Sequence, residues 1–248
     1  MKSAQRGGRR TQRRYAKIAA GTERSATHAD PVAHAKSLGY SEEELKTVPG
    51  DAALSLGCGN PVALSELRQG EIVLDLGCGG GLDAFLAARR VGPTGRVIGV
   101  DATPEMVARA NENARKAGLE NVEFRNAQIE RLPIDDAAVD VALSNCVMNH
   151  CSDKVRAFKE VYRVLKAHGR MCISDLVTAG EFSEDALKDE VWGEWLTVAQ
   201  SKTEYLQAIE KAGFQDVKVE GETAFPMAEN DERLKGRIAS IRITARKN

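Results

Sequence analysis

The stretch Ile72-Val73-Leu74-Asp75-Leu76-Gly77-Cys78-Gly79-Gly80-Gly81 constrains this chain more than any other. A short apolar run enters a glycine loop directly. The residues that follow, 83–91, bring Phe85, Leu86 and Ala88 to one helical face. Strand, glycine turn and helix in that order form the first half of a βαβ unit, because parallel strands must be joined by a crossover. The pattern then recurs. Residues 96–101 read as a second strand, and Thr103-Pro104 as a helix start whose apolar stripe ends at Gly118. Residues 122–124, 139–143 and 170–175 supply three more strands, with a helix predicted over 153–165. This alternation predicts a parallel α/β sheet of Rossmann-like type with helices on both faces, and ligands bound beyond the carboxyl ends of its strands.

The two ends of the chain depart from that rhythm. Residues 184–199 and 203–212 read as helices, and 214–219 and 238–245 as strands with no crossover helix between them. They predict a C-terminal antiparallel hairpin at one sheet edge. Residues 1–20 carry Lys2, Arg6, Arg9, Arg10, Arg13, Arg14 and Lys17 and no acid, whereas the rest holds 28 basic and 36 acidic residues. The expectation is a solvated, flexible basic arm over residues 1–30, on an acidic body that disfavours a broad nucleic-acid footprint. Further on, Ser41 and Glu44 form a capping box, and residues 54–61 make a second glycine-rich loop. No apolar run reaches the ~20 residues of a membrane span, and the start lacks a secretory core. A cytoplasmic protein without a membrane partner is expected. The five cysteines, Cys58, Cys78, Cys146, Cys151 and Cys172, form no CxxC pair and suggest neither a disulfide framework nor structural zinc.

Gly77 and Gly79 allow a tight turn and close approach of a ligand to the backbone. Leu82 stands where a dinucleotide loop would place its third glycine, and no Lys-Ser/Thr follows, so neither a dinucleotide nor a P-loop phosphate is indicated. Asp101, ending the second strand, can accept both hydroxyls of a ribose. An acid after each of two strands around a loop with no phosphate pattern fits a nucleoside lacking pyrophosphate, and S-adenosylmethionine is such a ligand. Over residues 70–180 the sequence resembles the class I methyltransferases. The resemblance implies that Asp75 and the Gly77-Cys78-Gly79 loop hold the methionine portion, that Asp101 holds the ribose, and that Gln128 and Ile129 flank adenine. Ala102, Met106 and Asn145 complete the expected donor contacts.

A closer resemblance lies in Tyr40-Ser-Glu-Glu-Glu-Leu45 with Leu56-Gly-Cys58-Gly-Asn-Pro61, in Val97-Ile-Gly-Val-Asp101-Ala-Thr-Pro-Glu-Met106, and in Ser144-Asn145-Cys146-Val147-Met148-Asn149. Across residues 32–220 these motifs resemble the arsenite methyltransferases. The resemblance implies that Cys58 and Cys146 hold trivalent arsenic, a soft centre suited to thiolates, and act as the catalytic thiols. The family's Trp-x-x-Cys stretch is here Trp192-Gly193-Glu194-Trp195, so one recurring thiol is missing. A glutathione-like external thiol, or Cys151, is the expected third ligand. Residues 31–180 are then the donor-binding domain with its substrate loop, and 181–248 complete the substrate site and the sheet. Cys172 is expected in the core, and His28 and His34 at the surface. Two alternatives stand beside arsenic methylation: an organic small-molecule acceptor with His150 as base, and a protein that binds metalloid or donor without turnover.

Overall fold

The computed structural model describes residues 12–23, 30–189 and 192–248. Its centre is one seven-stranded sheet in the order β3-β2-β1-β4-β5-β7-β6. The strands are β1 (Ile72–Leu76), β2 (Arg96–Asp101), β3 (Val122–Asn126), β4 (Val139–Asn145), β5 (Leu165–Thr178), β6 (Gln215–Ala224) and β7 (Ile238–Arg246). The first five run parallel. β7 then pairs antiparallel with β5, and β6 antiparallel with β7. The strand order reverses between β1 and β4, and there the strands' carboxyl ends open a crevice.

Alternation along the strands divides the core in two, since successive side chains leave opposite faces. Leu74, Leu76, Val100 and Ala142 join one cluster with Phe158, Val161, Tyr205 and Ile209. Val73, Val97, Val141 and Leu143 join the other with Phe85, Ala88 and Ala110. The first cluster buries α7 (Lys154–Val164) and α10 (Lys202–Lys211), and the second buries α5 (Leu82–Val91) and α6 (Pro104–Ala117). Strands buried on both faces are apolar almost throughout, as sequence alone required.

The remaining helices are short. They are α1 (12–19), α2 (Pro31–Ser37), α3 (Glu42–Lys46), α4 (Pro61–Leu64), α8 (Glu184–Leu187), α9 (Gly193–Leu196) and α11 (Pro226–Glu229). The Ser41–Glu44 capping box forms as expected. Thr103 stands at the N-cap of α6 but makes no side-chain capping bond; Asp101 Oδ1 accepts its N–H instead, at 2.8 Å.

Three expectations change. Part of the supposed solvated arm is α1, whose Ile18 and Ala19 are buried against Met106 with Tyr15, Leu54 and Leu56 beside them. Tyr15, Ile18 and Ala19 lie at helical i, i+3, i+4 spacing, a stripe masked by the surrounding arginines. Residues 1–11 and 24–29, His28 included, lie outside the described residues. His34 is buried, not superficial, because α2 packs on the 54–59 loop and brings Nε2 to 3.0 Å from the Gly57 carbonyl. The helix expected over 184–199 is broken into α8 and α9: Gly193 folds back on Leu187, where a Cβ would stand 2.3 Å from its carbonyl oxygen. Among the described residues no helix is long and apolar enough to cross a membrane.

The division of the core makes a checkable claim. Phe158 is fully buried, edge-on to Tyr205 with centroids 5.6 Å apart. Phe158→Ala is expected to lower unfolding free energy by ~3–5 kcal/mol. Val219→Ala, at an exposed position of β6, is expected to stay within ~0.5 kcal/mol. Urea denaturation of both variants reads the difference.

Candidate active site

The crevice has a carboxylate half and a thiol half. In the first, β1 carries Asp75 one residue before its end and runs into Gly77, whose φ of +66° and approach to Val147 exclude a side chain: a Cβ there would lie 2.5 Å from Val147 Cγ2. The loop is pinned across the sheet. Cys78 N–H donates to the Val100 carbonyl at 3.0 Å, and Gly79 N–H to Asp101 Oδ2 at 3.1 Å. Ala127 N–H reaches back to the Asp101 carbonyl at 3.0 Å, which sets Gln128 and buried Ile129 beside the end of β2. Ala102 and Met106 follow at the start of α6, Met106 almost fully buried.

This half is crowded with negative charge. Burial, then the neighbouring Asp83 and Asp101, push the Asp75 carboxyl well above its ordinary range. Its Oδ2 is buried with no hydrogen-bond partner. Asp83 is pushed up to about 6 by burial, against the opposing hydrogen bonds from Tyr40 and Asn145. Asp101 is also raised, again by burial. An orphaned buried carboxylate oxygen among other acids is costly unless a cation meets it. A ligand bearing an ammonium and a sulfonium fits that requirement.

The thiol half is assembled from distant segments. Asn60 caps α4 and Pro61 begins it, fixing the exit of the 54–59 loop. The loop then lies against the sheet: a Cβ on Gly59 would stand 2.5 Å from Ser174 Oγ, the β5 residue paired with Asn145 at the end of β4. Cys58 N–H donates to Asn145 Oδ1 at 3.0 Å, and the Ser240 hydroxyl of β7 donates to the Cys58 carbonyl at 2.6 Å. Cys146 follows β4 directly with φ +59°, a left-handed conformation that a non-glycine residue adopts at a cost. Its N–H donates to the Ser174 carbonyl at 2.8 Å, which holds it there.

As a result the ligand atoms of Cys58, Cys146 and Asp175 all lie within 4.8 Å of one another. Burial, followed by a hydrogen bond with Cys146, raises the Cys58 thiol well above the usual range, so it rests protonated. Asp175 is pushed up to about 6 by burial, opposed by donors from Leu176 N–H, Tyr205 and Asn149. A cleft of about 570 Å³ leads from Cys58 and Gly59 to the surface between His34 and Ser37 of α2 and Phe225 and Arg242. Trp195 packs in the same apolar cluster as both thiols, edge-on to Trp192.

Asn145 joins the halves. Its Nδ2 lies 2.8 Å from the Gly59 carbonyl and 3.0 Å from both Asp83 Oδ2 and the Tyr40 hydroxyl. Tyr40 in turn donates to Asp83 Oδ1 at 2.6 Å.

Sequence reasoning named both thiols but not their carboxylate neighbour. Asp175 carried the same signal as Asp75 and Asp101, an acid within the carboxyl-terminal part of an apolar strand. Cys151 does not join the group. The turn Met148–His150 carries it into the core cluster with Met148 and Phe158. Cys78 and Cys172 are likewise core residues, in the cluster beneath α5.

The methyltransferase-domain family matches residues 67–213. The chain is 46% identical to an arsenite methyltransferase of Halobacterium salinarum, over 73% of this chain and 47% of that protein. It is 34% identical to one from Aquipseudomonas alcaligenes, over 78% of this chain and 57% of that protein. The chain thus spans about half the length of the curated relatives it matches. Among solved structures, an arsenic(III) S-adenosylmethionine methyltransferase from Chlamydomonas reinhardtii superposes with TM-score 0.67 at 32% identity, covering 86% of this chain and 72% of that one.

Asp175 gives the site a pH signature. Its folded-state value, raised to about 6 from 3.8, means that the native state prefers the protonated acid. Its contribution to stability is complete below the unfolded value and is lost as pH rises through about 6. Asp175→Asn keeps an acceptor for Asn149 and Leu176 and removes the titration. It is expected to flatten the fall in stability between pH 4 and 7 by up to about 3 kcal/mol. Denaturation midpoints across that range test it, and parallel profiles for both proteins would refute it.

Proposed function

Because the chain belongs to the arsenite S-adenosylmethionine methyltransferase family, we propose that it methylates trivalent arsenic held by Cys58 and Cys146, with S-adenosylmethionine as donor. One observation carries the reading: two thiols 88 positions apart in sequence, with Asp175, come within 4.8 Å at the mouth of the donor crevice. Thiolate sulfur is the soft ligand that a soft metalloid prefers. Each thiol gives its proton to an arsenite hydroxyl, which leaves as water while an As–S bond replaces an As–O bond. Loading therefore needs no free thiolate, in keeping with the raised Cys58. An external thiol such as glutathione takes the third position, reaching Cys58 along the cleft.

Bound, the donor would supply an electrophilic sulfonium methyl: the arsenic lone pair forms the As–C bond as the S–C bond breaks and its electron pair leaves on a neutral thioether, and because arsenic loses no proton no general base is required. Asp75 would hold the ammonium group, Gly77, Cys78 and Gly79 would give it backbone room, and Asp101 would bind the ribose. Gln128 and Ile129 would flank adenine, with Ala102 and Met106 beside it. Asn145 fixes the Cys58 loop against this pocket, which favours in-line approach. Asp175 places negative charge beside the arsenic as positive charge develops on it.

An organic acceptor is disfavoured. His150, the base it would use, is lowered to about 4 by burial and is already hydrogen-bonded to Tyr15.

Incubation with labelled S-adenosylmethionine, arsenite and glutathione is expected to yield methylated arsenic. Cys58→Ser and Cys146→Ser should each slow this by ~100-fold or more, because the nucleophile is no longer positioned. Unchanged rates in both variants would sink the thiol mechanism. Methylation of an organic acceptor alone would replace the substrate, and binding without product would remove the activity.

A further inference from the structure

α1 touches both halves of the crevice. On the donor side, Gln12 Nε2 donates to the Ala102 carbonyl at 2.5 Å, and Arg109 Nη1 of α6 donates to the Ala19 carbonyl at 2.7 Å. Ile18 and Ala19 cover Met106. On the thiol side, the Tyr15 hydroxyl lies 3.1 Å from His150 Nε2, with the rings edge-to-face at 83°. His150 closes the turn Met148–His150 that begins two residues after Cys146, and its N–H donates to the Val147 carbonyl at 2.9 Å. Val147 is also the residue packed against Gly77 of the donor loop. The Tyr15 phenol is close enough to Cys146, Asp101 and Asp175 to feel the charge of all three.

We propose that Tyr15 and His150 form a latch that holds α1 across the donor site and, through the 146–150 loop, couples donor binding to the placement of Cys146. Both are positioning residues, and nothing in their sequence neighbourhood marks them as a pair. A neutral imidazole has a lone pair at Nε2 to accept from the phenol, and burial keeps His150 neutral at physiological pH. The donor must reach Asp101 and Met106, and α1 packs on Met106 and bonds to the Ala102 carbonyl next to Asp101, so exchange of donor for product requires α1 to lift and this hydrogen bond to break. Closure restores the bond and fixes the turn behind Cys146. One helix then reports the state of one half of the site to the other.

The latch requires only a donor, so it is tested without arsenic, by calorimetric binding of S-adenosylhomocysteine. Tyr15→Phe keeps the ring and loses the hydroxyl. Tyr15→Phe and His150→Leu should each weaken binding about 3- to 10-fold, the range of one net hydrogen bond. The double variant should be no weaker than either, and His150→Gln, which retains an acceptor, should recover most of the loss. A second readout is the rate of Cys146 alkylation by iodoacetamide, followed on its peptide by mass spectrometry. Ligand should slow alkylation in the parent chain and fail to do so in Tyr15→Phe. Additive losses, unchanged affinity, or equal protection in parent and variant would overturn the latch. A parent chain that binds no S-adenosylhomocysteine would overturn both the latch and the donor assignment, whereas lost arsenic methylation with intact coupling would overturn only the acceptor.

Discussion

The side-chain amide of Asn145 is the joint on which the crevice depends. A strand end can present only one or two residues to a ligand, yet this site needs three separate segments held together. One amide contacts them all: the carbonyl of the Cys58 loop, the Asp83 carboxylate of α5 and the Tyr40 hydroxyl between α2 and α3. Its oxygen accepts from Cys58 itself. Asparagine suits the position because it offers donor and acceptor together without adding charge to a region already rich in acids.

Those acids explain the electrostatic character of the crevice. Asp75, Asp83 and Asp101 are each raised by burial, Asp75 further by the other two, and among the described residues no arginine or lysine forms a salt bridge with any of them. Folding tolerates this because hydrogen bonds from Tyr40, Asn145, Thr103 and Gly79 satisfy most of the oxygens. What remains is an environment that favours a cationic ligand over a neutral or anionic one.

Much of this was legible in the sequence, for identifiable reasons. The parallel strands are buried on both faces, so their apolar runs are continuous and easily read, and the glycines of the first loop mark its turn. The antiparallel hairpin betrayed itself by lacking a crossover helix. α1 was hidden because its apolar stripe is only three residues wide and lies among arginines. His34 was misjudged because nothing local reveals that α2 packs on the 54–59 loop. Cys58 and Cys146 emerged through family motifs, whereas Asp175 is brought to them by strand register, which composition does not display. Trp195 replaced an expected sulfur, and it packs among the apolar neighbours of the thiols.

The hydroxyl of Ser240 closes the thiol loop from 182 positions away, on a strand inserted between β5 and β6. Contacts of such sequence separation form late, since the intervening chain must be ordered before they can. The carboxylate half, drawn from residues 40–147, is complete in sequence before β7; the Cys58 carbonyl must wait for that strand. A nascent chain would therefore complete the carboxylate half of the crevice before its thiol half was closed.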